Sequence, residues 1–239
     1  MAGTGTGKTR MNARILAELR DEDTPLRFAT ALNLRTLTLQ TIDAYRDELG
    51  LGDHMAGVIG DKVAQHLHSQ HDFSVDPRDV EADEDGNPIQ TCWDTFSPKT
   101  KAEAPAWLTG ALSKQGHAGL ASIVMAPVAV CTADFLVDAG DLSRQGNQAL
   151  AQLRLAKSDL VLDEIDSYDT QPLISLLRLV SMAAFFDRNV VASSATLSVP
   201  CAQALVEAWQ HGRWLRHCLE GEASAASQVF ICDHETNLT

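Results

Sequence analysis

The sequence contains no apolar run near the ~20 residues that a bilayer-spanning helix needs. Its first ten residues, MAGTGTGKTR, are too rich in glycine and threonine to form the apolar core of a signal peptide. Neither a membrane nor a secreted location fits, and the cytoplasm is the expected compartment. Cysteine is sparse: Cys92, Cys131, Cys201, Cys218 and Cys232 are odd in number and form no C-x-x-C pair. That speaks against a disulfide framework and a zinc site, and for buried, reduced thiols. Aromatics make up only 5% of the chain, and Trp93, Trp107, Trp209 and Trp214 form no regular series on which bases could stack. They read as packing residues. Positive charge is short as well, with 19 Lys and Arg against 32 Asp and Glu, a net charge of −13. A protein that embraced nucleic acid over its whole surface would carry the opposite sign. The deficit is uneven, because Asp72–Asp85 holds seven acids against one base, Arg78. A solvated acidic loop of this kind says little about binding faces elsewhere.

What is present is a chain of 239 residues, 45% hydrophobic, with strand-like and helix-like stretches in alternation. Apolar spacing predicts a helix over Lys8–Arg20 with Met11, Ile15, Leu16 and Leu19 on one face. Further helices are expected over Thr36–Leu49, Leu142–Leu155, Gln171–Phe186 and Val199–His211. Short apolar runs at Arg27–Leu32, Ser122–Cys131, Asp159–Leu162 and Asn189–Ser193 read as strands, with a last one at Val229–Cys232. Buried strands separated by helices indicate an α/β fold with a mostly parallel sheet. Residues 1–239 read as one domain, with an acidic insertion carrying short helices at about 52–119, where the pattern weakens.

Three short motifs carry the chemistry, two of them directly after expected strands. Ala2-Gly3-Thr4-Gly5-Thr6-Gly7-Lys8-Thr9 fits a phosphate-gripping loop, with alanine where the general pattern has glycine. Its glycines let successive N–H groups point at phosphate oxygens, and the helix behind adds its positive dipole end. Lys8 would neutralise the β- and γ-phosphates of ATP, and the Thr9 hydroxyl would ligate Mg2+. In Leu160-Val161-Leu162-Asp163-Glu164-Ile165-Asp166 a buried strand emerges into acids. Asp163 would hold Mg2+, and Glu164 would orient and deprotonate an attacking water. Alternatively, these acids only favour the first turn of the next helix. Ser194-Ala195-Thr196 follows another strand, where its hydroxyls can hydrogen-bond the acidic strand end and sense nucleotide state, so that Ser194 and Thr196 are expected with Asp166 as coupling residues. Ser and Thr at such places also cap helices. His66, His68 and His71 tempt a metal reading, but on a helix His66 points away from the other two, and a polar helix face is expected instead.

Taken in order, A-G-x-G-x-G-K-T, D-E-x-D and S-A-T resemble the first RecA-like lobe of superfamily-two helicases, a P-loop three-layer sandwich. The strings AGTGTGKTRMNARI, FATALNLRTLTLQTIDAYRDELGL, VCTADFL and LDEIDSYD are similar to the CRISPR-associated helicase–nuclease of type I systems, subtype F branch. The likeness covers most of Ala2–Pro200. It implies an ATP-driven motor on single-stranded DNA, with Arg35, Thr36, Thr132 and Asp134 at backbone-contacting motifs. It also implies recruitment by an RNA-guided surveillance complex and a partner HD nuclease domain. Against that family, the strand before the loop, the nuclease domain and the second RecA-like lobe are expected to be missing, as in a fragment. The second lobe would supply arginines worth about 10³–10⁵ in related phosphoryl transfer. The chain by itself is therefore expected to hydrolyse ATP negligibly, and robust phosphate release that Lys8→Ala abolishes would overturn this. Two other classes stay open: a P-loop ATPase that never tracks nucleic acid, and a non-catalytic remnant.

Overall fold

The computed structural model describes residues 6–20, 23–33, 35–59, 94–96, 106, 120–137, 148–221 and 229–230. Gly3, Thr4 and Gly5, the acidic stretch 72–85 and the three histidines lie outside the described residues, as does most of the proposed insertion. A six-stranded sheet organises the rest, in the order β3-β2-β4-β1-β5-β6. The strands are β1 (Phe28–Leu32), β2 (Met55–Ile59), β3 (Asp94–Phe96), β4 (Val128–Thr132), β5 (Asp159–Asp163) and β6 (Val190–Ser193). Five are parallel, and β3 is antiparallel against β2 at one edge. Every residue of β1 and β4 is buried, which is why these strands read as near-continuous apolar runs.

Alternation along each strand sends side chains to two helical layers. Phe28, Val128, Val130 and Val161 pack with Leu16 of α1 (Thr6–Leu19) and with Leu39, Ile42 and Tyr45 of α2 (Arg35–Asp47). The opposite face presents Ala29, Ala31, Ala129, Cys131, Leu160 and Leu162. It is covered by α3 (Leu120–Met125), α4 (Ala133–Val137), α5 (Gln148–Ala156), α6 (Thr170–Phe185) and α7 (Val199–Glu220).

Several expectations need correcting. Ser122–Met125 belongs to helix α3, and only Val128 onward is strand. One apolar run thus holds two elements, divided at Ala126-Pro127, because a residue before proline is driven out of the helical region. Met55–Ile59, read as the start of an insertion, is a strand paired with β4. Helix α7 continues past Gly212 to Gly221, whose φ of 68° is the left-handed value that closes helices. On α1 the buried positions are Thr9, Asn12 and Leu16, while Met11 and Leu19 are each 46% exposed. Cys131 is a buried free thiol, as expected, but Cys201 is half-buried and Cys218 exposed. Trp214 is likewise exposed and stacks on His211.

Two arginines tie the amino-terminal ends of the strands together. Arg154, fully buried, donates from Nη1 to the carbonyls of Ile123 and Ala126, and from Nη2 to those of Phe28 and Pro127. Arg27 donates to Val124 and Met125. Four carbonyls at the end of α3, which the helix itself leaves orphaned, thereby gain partners. Burial lowers the Arg154 pKa to about 9, still a cation at neutral pH.

Candidate functional site

Because β1, β4, β5 and β6 are parallel and in register, their carboxyl ends form one rim. Leu32 pairs with Thr132, and Asp163 with Ser193. Ligands of open α/β sheets sit at this rim. Helix α1 brings Lys8 to it from the far end of the chain. Lys8 Nζ lies 2.5 Å from Glu164 Oε1, across 156 residues of sequence, and both side chains are mostly buried.

Glu164 reaches this contact from a left-handed backbone, φ 54° and ψ 45°. That conformation costs a side-chain-bearing residue on the order of 1–3 kcal/mol and persists only where its surroundings enforce it. They do so here: the Glu164 carbonyl accepts both the Ser167 amide at 3.0 Å and the Ser167 hydroxyl at 2.7 Å. The sharp turn lets consecutive acids do different things. Asp163 stays on the strand, 5% exposed, and its Oδ1 accepts the Glu164 amide at 3.1 Å and the Ser193 hydroxyl at 2.6 Å. Thr9, next to Lys8, is buried in the first turns of α1.

Asp166 lies one short turn further on. Its Oδ2 accepts the Thr196 hydroxyl at 2.5 Å. Hydrogen bonds from Ser194 and Thr196 hold its carboxyl below the usual range. Lys8, Asp163 and Glu164 therefore meet in space, and so do Asp166, Ser194 and Thr196. Thr132 ends β4 on the same rim, 3% exposed, and Asp134 follows it, exposed at the start of α4. Arg35 and Thr36 open α2 directly after β1. Gly7 is in α1 with open space where a Cβ would stand, and Thr6 is its first residue.

Sequence reasoning missed three polar residues that hold this arrangement. Asn12 donates through Nδ2 to Ser193 Oγ at 2.8 Å, and Asn33 donates to the Ser167 carbonyl at 2.7 Å. The third is Ser193 itself. Asn12 gave one signal, a polar residue four positions before Leu16 on the buried stripe. Ser193 gave none, because its partners are set by strand register.

No protein-family model matches the chain. Over 230 residues, 96% of this chain, it is 36% identical to the CRISPR-associated nuclease/helicase Cas3 subtype I-F/YPEST of Pseudomonas aeruginosa (strain UCBPP-PA14). The protein of the same description from Pectobacterium atrosepticum is 36% identical over 250 residues, 98% of the chain. This chain belongs with the Cas3 proteins of subtype I-F. It spans about a fifth of the length of these Cas3 relatives, 21% and 22% respectively. Among solved structures, T. fusca Cas3-AMPPNP superposes with a TM-score of 0.53 at 25% identity, covering 96% of this chain and 22% of that one. T. fusca Cas3-ATP gives a TM-score of 0.53 at 24% identity, over 89% of this chain and 20% of that one. The likeness in fold thus extends over most of this chain.

Proposed function

We propose that this chain is the ATP-binding lobe of a CRISPR helicase that translocates on single-stranded DNA. The observation that carries this is the Lys8–Glu164 contact with Asp163 beside it, at the carboxyl rim of a parallel sheet.

The residues present fit Mg2+ and ATP by the chemistry of the donor set. An ammonium and a helix amino terminus stand at one side, which suits phosphate. A fixed carboxylate stands at the other. Among the described residues no cluster of three His, Cys, Asp or Glu makes a metal cage. A magnesium nucleotide needs none, since Mg2+ takes one or two carboxylates together with phosphates and water. Thr9 and Asp163 would hold it, and when bound it would neutralise charge on the phosphate oxygens.

The remaining steps belong to side chains. Lys8 would bind the β- and γ-phosphates. With phosphate bound, Lys8 would turn from Glu164 towards it, leaving Glu164 to orient a water and take its proton. Asp166, Ser194 and Thr196 couple that event to the rim, where Arg35, Thr36, Thr132 and Asp134 meet the DNA backbone. An RNA-guided surveillance complex, an HD nuclease domain and a second RecA-like lobe are the partners expected of the whole protein. Among the described residues no helix is long and apolar enough to cross a membrane, and a cytoplasmic location suits this role.

The test is ATP turnover in the full-length protein carrying this chain. Single-stranded DNA should raise the rate at least about tenfold, roughly 1.4 kcal/mol of barrier, and Lys8→Ala should abolish it. ATP turnover indifferent to DNA would contradict the helicase assignment.

A further inference from the structure

We infer that Asn12 and Ser193 are positioning residues that aim Asp163 at the metal, so that helix α1 and the metal-holding carboxylate act as one unit. This rests on the nucleotide site proposed above and names two residues that it does not include.

The hydrogen-bond polarity is forced. An ionised carboxylate only accepts, so Ser193 Oγ must donate its single proton to Asp163 Oδ1, 2.6 Å away. The serine oxygen can then only accept, and Asn12 presents its NH2 group at 2.8 Å. The chain runs one way, Asn12 to Ser193 to Asp163. Its cost is visible, because Asn12 Oδ1 is left buried with no partner among the described residues. Turning the amide over would relieve that oxygen, yet the serine proton would then go to Asn12 and leave Asp163. A buried acceptor without a donor is expensive, so the arrangement favours the carboxylate over the helix.

The geometry also selects an oxygen. The Glu164 amide and the Ser193 hydroxyl both go to Oδ1, and among the described residues neither is spent on Oδ2. Oδ2 is thereby the oxygen left for a cation. Asn12 stands one helical turn after Lys8 and Thr9, on their face of α1. A shift of the phosphate-binding turn therefore reaches Asp163 through two hydrogen bonds, without passing through solvent.

The test separates metal from nucleotide in the 239-residue chain. Metal-free affinity is read with a fluorescent ADP in EDTA, and Mn2+ affinity at the ADP complex by electron paramagnetic resonance. Removing an outer-shell partner typically costs 10–100-fold in metal affinity. Ser193→Ala should weaken Mn2+ binding at least about tenfold and leave metal-free ADP affinity within about twofold. Ser193→Thr, which keeps the hydroxyl, should restore it. Asn12→Ala should give a smaller loss, and the double variant should be no worse than Ser193→Ala, as expected for residues in series. Unchanged Mn2+ affinity in Ser193→Ala would overturn the relay while leaving the nucleotide site standing, as would equal losses of Mn2+ and metal-free ADP binding. A wild-type chain that binds neither ADP nor its Mn2+ complex overturns both.

Discussion

Arg154→Met should destabilise this chain by about 3 kcal/mol or more, a large share of its stability, since buried unsatisfied acceptors cost about 1–3 kcal/mol each and domains hold only ~5–15 kcal/mol in all. The residue sits in α5, yet its guanidinium serves four carbonyls from α3, Pro127 and β1. Pro127 O has a second donor in the Phe28 amide. The Ile123 and Ala126 carbonyls close a helix of six residues, whose last carbonyls have no internal partner. Arg154→Lys should not rescue, because one ammonium cannot reproduce a planar fork that serves two pairs of acceptors. Arg27→Met should cost less, since that side chain is nearer to solvent and its contacts are partly replaced by water. Urea denaturation followed by circular dichroism gives the comparison. An Arg154→Met midpoint within experimental error of wild type would refute the role assigned to it.

Gly212→Ala should lower stability by at least about 2 kcal/mol, even though alanine is preferred over glycine in a helix by about 1 kcal/mol. A Cβ at this position would stand 1.9 Å from the Ser181 carbonyl oxygen and 2.9 Å from the Ala184 Cβ. The obstructing atoms are mainly backbone of α6, so rotamer changes cannot make room, and the two helices must separate. Separation would also break the Ser181–His211 hydrogen bond of 3.1 Å. Overpacking penalties usually run 1–3 kcal/mol and rise when backbone must shift. For a chain of this length each kcal/mol moves Tm by about 2–4 °C, so a drop of about 4 °C or more is expected by scanning calorimetry. A Gly212→Ala protein that melts higher than wild type would show the helices to be less closely apposed than described.

Why the candidate site could be picked out from the sequence while parts of its scaffold could not follows from these residues. Lys8, Asp163, Glu164, Ser194 and Thr196 each belong to a string whose local grammar is visible: glycines before a lysine, or a buried strand ending in acids or hydroxyls. The α/β class was legible too, because strands buried on both faces leave continuous apolar runs. Helix ends were harder. Gly212 interrupts the pattern like a terminator, although its reason is close approach to Ser181. The buried face of α1 was misjudged because Thr9 and Asn12, both polar, occupy it. Composition alone would put Met11 and Leu19 there. Ser193 was invisible for a third reason: its contact with Asp163 exists only once β5 and β6 pair in register, a fact spread over thirty residues of chain.

On the proposed reading, Lys8 and Asp163 serve one magnesium-bound nucleotide. Calorimetric titration of ADP into the chain, with and without Mg2+, tests it most directly, using wild type, Lys8→Ala and Asp163→Asn. Lys8→Ala should weaken binding at least about tenfold in both conditions, while Asp163→Asn should remove only the gain that Mg2+ brings, roughly 1.4 kcal/mol for each tenfold. Magnesium-dependent binding that survives unchanged in both variants would contradict the account.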